Sequence, residues 1–245
     1  MSFRIAALVS VGAVLVSVIY MRRMKMHILG VGVAKRFRQT PLRNIFYLVR
    51  HGQSEANVEG IIVSDPSIGT TKYTLTKRGI SQATRAGVKI ESIFSSMGFQ
   101  KSQVQDNLII ICSDFARTVA TAKCIAKEVG LKESNVNISI ALRERYFGDL
   151  DGQKDDQYEL VWKHDNDSAS HSMFGSESVN SVLLRAGNLV TELNEKYTDK
   201  VIVLVAHGDV LQILRTGFES QFPPAHHRRG EALLTGSVTR LQNNV

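Results

Sequence analysis

The chain has 245 residues, 43% hydrophobic and 22% charged, with two cysteines and a formal net charge of +7. That apolar share supports a buried core and excludes a disordered or low-complexity chain, and two cysteines exclude a disulfide framework, so a reducing compartment is permitted. The basic excess does not mark a nucleic-acid binder, because it sits in one place: residues 1–50 hold 9 basic side chains and 0 acidic ones, leaving 21 basic against 23 acidic, a net of −2, for the rest.

Ile5 to Met21 is a run of apolar and small residues interrupted only by Ser10, Gly12 and Ser17. Roughly 17–25 such residues make a membrane-crossing helix. Arg22, Arg23 and Lys25, then Lys35, Arg36 and Arg38, follow the run, while Arg4 alone precedes it. Positive charge after a span keeps that flank in the cytosol. Residues 1–43 are therefore expected to be a membrane anchor and targeting segment with a basic flank, and the body of the chain cytosolic. The segment resembles signal anchors of the mitochondrial outer membrane. Import by a mitochondrial presequence is the alternative, although presequences are amphipathic and this run is apolar all round. A cleaved secretory signal fits less well, since the charge asymmetry runs the wrong way.

Residues 44–245 read as one α/β domain of five or six strands, without linker or repeat. Phe46-Tyr47-Leu48-Val49 is a buried strand that stops at Arg50-His51-Gly52, so His51 stands at a carboxyl end, where open α/β sheets place their ligands. Gly52 permits a sharp turn or a close approach. Glu59 to Tyr73 is irregular and reads as a lid. Thr76 caps an amphipathic helix with Ile80, Ala83, Val88, Ile90 and Ile93 on its apolar face. Leu108 to Cys112 is a second buried strand, ending in Ser113-Asp114 and feeding a helix that carries Arg117, Thr118 and an inward-facing Cys124.

Asp149 to Gly175 is the second lid, and Trp162 within it is either core or a substrate platform. Gly175-Ser176-Glu177-Ser178 precedes a helical stripe from Val179 to Leu193, and Glu177 reads as a cap rather than a catalyst. Val201 to Ala206 is a continuous apolar run of parallel-sheet type and stops at His207-Gly208. His226-His227-Arg228-Arg229 reads as a solvated basic loop, with an inward-turned anion site as its alternative.

Three strand ends can thus converge on a pocket holding two histidines and two arginines. Guanidinium forks match the oxygens of phosphate, so Arg50 and Arg117 suit a dianionic phosphoryl group. A zinc site competes, but adjacent arginines repel a cation and no closely spaced ligand motif is present.

The stretch Val49-Arg50-His51-Gly52-Gln53-Ser54-Glu55-Ala56-Asn57 resembles the signature of the histidine phosphatase superfamily, in its phosphoglycerate mutase-like branch. Further matches are Leu75 to Ala83, Ser113 to Thr118, Leu142 to Gly148, Gly175 to Ser178 and Ala206 to Gly208, so the resemblance runs from about Asn44 to Leu241. It implies a three-layer α/β/α sandwich with a mostly parallel central sheet. It implies that His51 is the nucleophile and is transiently phosphorylated, with Arg50, Asn57, Arg117, His207 and the Gly208 amide holding the phosphoryl oxygens and no metal or cofactor needed.

Glu144 fits the general acid and base, a role that needs a raised pKa; the alternative is an exposed partner of Arg143 or Arg145. Ser54 either adds a hydrogen bond in the pocket or shapes the turn. The stretch Asp149 to Asp167 holds 7 acids against 2 lysines, which disfavours a second anionic group on the substrate. The expectation is a phosphomonoester hydrolase acting on a phosphoprotein or a small phosphorylated metabolite. Phosphoglycerate mutase-type transfer and a catalytically silent membrane-tethered module are the alternatives.

Overall fold

The computed structural model describes residues 32, 34–219 and 221–243. Five strands form one sheet: β1 (Ile45–Arg50), β2 (Leu108–Cys112), β3 (Val136–Ile138), β4 (Val201–Ala206) and β5 (Val238–Arg240), in the order β3-β2-β4-β1-β5. Only β5, at an edge, runs antiparallel to its neighbour. The helices that carry the argument are α1 (Glu55–Glu59), α2 (Lys77–Ser96), α3 (Ala116–Val129), α4 (Tyr158–Asp165), α5 (Val179–Lys196) and α6 (Gly208–Phe218).

The two-residue period of the strands builds the three layers. Tyr47, Val49, Val201, Val203 and Val205 face α2 and α3 through Ala86, Ile90, Ala122 and Ile125. Phe46, Leu48, Ile202, Leu204 and Ala206 face α5 and α6 through Val182, Leu183, Val210 and Leu214. Both faces are covered, which is why β4 reads as an unbroken apolar run. The α/β/α sandwich with a mostly parallel sheet expected from the sequence is present.

Register then delivers the chemistry. Arg50 stands opposite Ala206, and Cys112 opposite Val205. The ladder extends one residue further: the His51 amide donates to the Ala206 carbonyl at 3.0 Å and the Ser113 amide to the Val205 carbonyl at 3.0 Å. His51, Ser113 and His207 therefore emerge side by side at the carboxyl ends of adjacent strands.

Several expectations are corrected. Thr76 does cap α2, accepting from the Gly79 amide at 3.0 Å. Ile80 and Val88, however, are exposed, and the buried face runs through Gly79, Ala83, Ala86, Gly87, Ile90 and Phe94. Small residues were overlooked there because close helix packing, not side-chain size, defines that face: a Cβ on Gly87 would lie 2.8 Å from Glu128 Cβ. Ser178 is the cap of α5, while Glu177 pairs with Arg185 at 2.9 Å. Cys112 is buried, which pushes its thiol up to about 12, whereas Cys124 is only half-buried.

The run from Ile5 to Met21 lies outside the described residues, and among the described residues no helix is long and apolar enough to cross a membrane. The folded body takes in part of the basic flank. Ala34 and Phe37 are buried against α5 and α6, Phe37 stacks on Phe218 at 5.5 Å, and Arg38 donates to the Thr216 carbonyl at 2.9 Å.

Candidate active site

His51 sits 3% exposed at the end of β1. Its Nδ1 lies 2.7 Å from the Gly52 carbonyl, an acceptor only, so Nδ1 carries the proton and Nε2 presents a lone pair. Burial, then Arg117 and Arg50, hold its pKa well below the ordinary 6.5, and the ring is neutral. Gly52 is required for a close approach: a Cβ there would lie 2.3 Å from the Gly79 carbonyl oxygen at the start of α2. The contact is with protein rather than with a ligand, and the Gly52 amide is tied to Thr121 Oγ1 at 3.1 Å.

Arg117 enters from the first turn of α3 and is 4% exposed. Its Nε lies 3.2 Å from both His51 Nε2 and His207 Nδ1. One N–H is thus shared by two acceptor nitrogens. His207 completes the pattern with Nε2 at 3.1 Å from Ser113 Oγ, and burial, then Arg117, lowers its pKa well below 6.5. The two imidazoles meet edge to face with centroids 5.3 Å apart. Arg117 Nη2 donates to the Val63 carbonyl at 3.0 Å, leaving Nη1 buried without a partner among the described residues.

Arg50 donates from Nη1 to the Leu233 carbonyl at 2.7 Å, and its Nε is likewise buried and unpaired among the described residues. Its guanidinium lies against the start of α6, where a Cβ on Gly208 would come within 3.2 Å of Arg50 Cζ. Glycine at 208 therefore makes room for Arg50 besides placing an amide at a helix N-terminus. Buried guanidinium N–H groups without acceptors are costly unless an anion supplies them, and the two residues that carry them line one cavity.

Glu144 is not an exposed ion-pair partner. Arg143 is engaged by Asp114 at 2.6 Å and Arg145 by Asp165 at 2.7 Å. Its own carboxyl is 9% exposed, 3.8 Å from His207 Nδ1 and 4.0 Å from Arg117 Nη2. Burial pushes its pKa up to about 7, against the opposing pull of Arg117. A carboxyl that is half protonated near neutrality both gives and takes protons.

Ser54 caps α1: its Oγ accepts from the Asn57 amide at 3.3 Å, and Asn57 Oδ1 accepts from the Ser54 amide at 3.0 Å. Both line the cavity, and the Asn57 Oδ1 bond leaves its amide N–H₂ free to donate. Ser54 shapes the turn that presents Asn57.

The cavity, of about 380 Å³, brings Arg50, His51, Ser54, Asn57, Arg117 and Glu144 together. Both irregular segments supply its wall: Ile61 and Val63 from the first, Asp155, Asp156, Tyr158, Glu159 and Trp162 from the second. They are joined, since the Ile62 amide donates to the Gln153 carbonyl at 2.8 Å and the Gly152 amide to the Ile62 carbonyl at 2.8 Å. Tyr158 was not anticipated. The available signal was its four-residue spacing from Trp162 on α4, which stacks the rings at 5.1 Å and 11°.

The loop at 226–229 is in part the solvated basic loop expected, since Arg228 and Arg229 are exposed, and in part packed. His227 is buried with Nε2 2.9 Å from Asp209 Oδ1, and Arg228 lies over Trp162 at 3.8 Å and bonds Gln212. Among the described residues no group of three or more His, Cys, Asp or Glu side chains is placed to hold a metal.

Residues 46–244 match the family model described as histidine phosphatase superfamily (branch 1). The 2,3-bisphosphoglycerate-dependent phosphoglycerate mutase of Afipia carboxidovorans is 30% identical over 210 residues, spanning 81% of this chain and 92% of that one. The mutase of the same name from a Bradyrhizobium species is 27% identical over 205 residues, with the same coverage of both chains. Among solved structures, the mycobacterial glucosyl-3-phosphoglycerate phosphatase complexed with VO3 superposes with a TM-score of 0.61 at 26% identity, covering 80% of this chain and 91% of the other. With His51, Arg50, Arg117 and Glu144 lining one cavity and the fully buried His207 behind them against Arg117 and Glu144, the chain belongs to the histidine phosphatase superfamily, in its branch 1.

Proposed function

We propose that this protein is a metal-independent phosphomonoester hydrolase that works through phosphohistidine on His51. The observation that carries this reading is the shared Arg117 Nε contact to His51 Nε2 and His207 Nδ1, with the Glu144 carboxyl within 4.0 Å of both Arg117 and His207. A phosphoryl group entering the cavity takes over the Arg117 N–H groups and frees the His51 Nε2 lone pair. Nε2 attacks phosphorus, the ester P–O bond breaks, and the Glu144 carboxyl gives its proton to the departing oxygen. Water then attacks phosphohistidine, Glu144 accepts the water proton, and the P–N bond breaks to release phosphate. Arg50, Arg117, the Asn57 amide and the Gly208 amide stabilise charge on the equatorial oxygens without reorganisation.

Hydrolysis rather than mutase-type transfer is supported by the rest of the cavity lining, where Asp155, Asp156 and Glu159 stand and, among the described residues, no arginine or lysine besides Arg50 and Arg117 is present. A mutase substrate needs a grip for its second anion. The test is p-nitrophenyl phosphate turnover beside a 3-phosphoglycerate isomerisation assay, with rapid acid-labile phosphoenzyme trapping. Turnover with a His51-dependent, base-stable adduct is expected. Isomerisation without net phosphate release would assign the mutase reaction instead, and inertness in every assay would leave the silent-module reading. For the N-terminal run of residues 5–21, we propose membrane attachment with the catalytic body in the cytosol, at the mitochondrial outer membrane.

A further inference from the structure

The cavity is electrostatically divided. Its floor holds Arg50 and Arg117, each with a buried N–H group that has no partner among the described residues. Its outer wall holds three exposed carboxylates, Asp155, Asp156 and Glu159. Among the described residues none of the three forms an ion pair. Asp156 only accepts from the neighbouring Gln157 amide group at 2.8 Å.

The cations near this wall are held outside the cavity. Lys154 Nζ donates to the Glu59 carbonyl at 3.2 Å, and Arg228 rests on the Trp162 ring and bonds Gln212. The Trp162 ring is already taken up, with Tyr158 stacked on it at 5.1 Å and the Arg228 guanidinium 3.8 Å from its centroid, so what the wall offers a further cation is its carboxylates. Exposed carboxylates without a cation partner, facing a cavity, attract an ammonium group.

A phosphoryl group held at the floor places its leaving group against that wall. We propose that the site selects small phosphomonoesters whose leaving group carries a positive charge, an amine or alkylated ammonium, and rejects those whose leaving group carries a carboxylate or second phosphate. This rests on the hydrolase reading above and names its substrate class. A cavity of about 380 Å³ suits a small molecule.

The test compares kcat/KM for aminoethyl, hydroxyethyl and carboxymethyl phosphate, which are matched in size and differ in leaving-group charge. The expected order is aminoethyl, then hydroxyethyl, then carboxymethyl, with at least about tenfold between the ends at low salt and compression of that ratio at high salt. In the combined variant D155N/D156N/E159Q the ratio between the ends should shrink to about twofold or less. Calorimetric binding of the same three esters to H51A reads the preference without turnover. An ammonium preference in binding with no hydrolysis of any ester, p-nitrophenyl phosphate included, would overturn the hydrolase reading and keep this one. A flat or reversed order in both measurements, with p-nitrophenyl phosphate hydrolysed, would overturn this proposal alone. An unchanged ratio in the triple variant would also overturn it.

Discussion

The Arg117 Nε–H contacts both imidazoles at 3.2 Å, so one side chain keeps both rings neutral and correctly protonated. Lysine keeps the charge but lacks the planar fork and cannot reach both nitrogens and the Val63 carbonyl together. R117K is therefore expected to lower kcat by about 10²–10³-fold on p-nitrophenyl phosphate, as loss of a transition-state donor does. Glu144 must be protonated for the first step and His51 neutral, so kcat/KM should fall as pH rises through about 7 and hold down to well below 6.5. E144Q should lose about 10²–10⁴-fold and, with it, the alkaline limb near 7, which a pH–rate profile reads directly. The same change acts on stability with the opposite sign. Burial raises the folded pKa of Glu144 above its ordinary 4.5, so the stability associated with its neutral form is complete below 4.5 and is lost as pH rises to about 7. At pH 8 E144Q should consequently be more stable than the parent, by up to about 3 kcal/mol in urea unfolding.

Two contacts between elements hold these residues in place. The loop after β1 crosses the first turn of α2 at a glycine pair, where a Cβ on Gly79 would lie 2.0 Å from the Gln53 carbonyl oxygen. G79A must push that loop away from the helix, and since His51 precedes it by two residues from Gln53, both Tm and kcat/KM should fall, the latter by more than tenfold, because small misplacements of reacting atoms are costly. Behind Glu144, Arg145 is fully buried and bridges α4 to α6 through Asp165 at 2.7 Å and Asp209 at 3.3 Å. Asp209 also accepts from Trp162 Nε1 at 3.1 Å and lies 2.9 Å from His227 Nε2, and, against the opposing effect of burial, its hydrogen bond to His227 together with the nearby Arg145 and Arg228 holds its carboxyl well below the usual range. R145A would leave two buried carboxylates without their cation, and a loss of about 3–5 kcal/mol in denaturant unfolding is expected. From sequence, Arg145 is indistinguishable from Arg143, since flanking position does not say which charge faces inward.

At the scale of the molecule, a near-neutral body follows a strongly basic leader, which on the proposed reading attaches the protein to a membrane. Deleting residues 1–26 removes the apolar run but spares Ala34, Phe37 and Arg38, which pack on α5 and α6. The truncated chain is expected to keep its Tm and phosphatase activity while moving from the membrane to the soluble fraction, as fractionation and imaging of a tagged protein would read. Deletion through residue 43 should instead lower Tm, because it uncovers the Phe37 pocket against Phe218 and takes away the Arg43 contacts to Asn194.

Local pattern was enough for β1, β2 and β4, the helix starting after Thr76, and the two histidines, because apolar runs ending in Arg50-His51-Gly52 and His207-Gly208 declare a buried parallel strand and what stands at its tip, whereas the short edge strands β3 and β5 carry too few apolar residues to be read and Asn57 and Glu144 are reached through the family resemblance. Residues of the proposed site are legible in this way because phosphoryl chemistry restricts residue type at fixed positions along the chain. What required the tertiary structure was everything that depends on which distant groups share a space. Glu144 becomes an acid near neutrality only because burial removes water from it, and His227 turns inward from an otherwise exposed basic loop only because Asp209 lies beneath it. Tyr158, Asp155, Asp156 and Glu159 line the cavity only because the insertion folds back beside Ile61 and Val63. Desolvation and long-range charge pairing are properties of neighbourhoods, and neighbours far apart in sequence are assigned by packing.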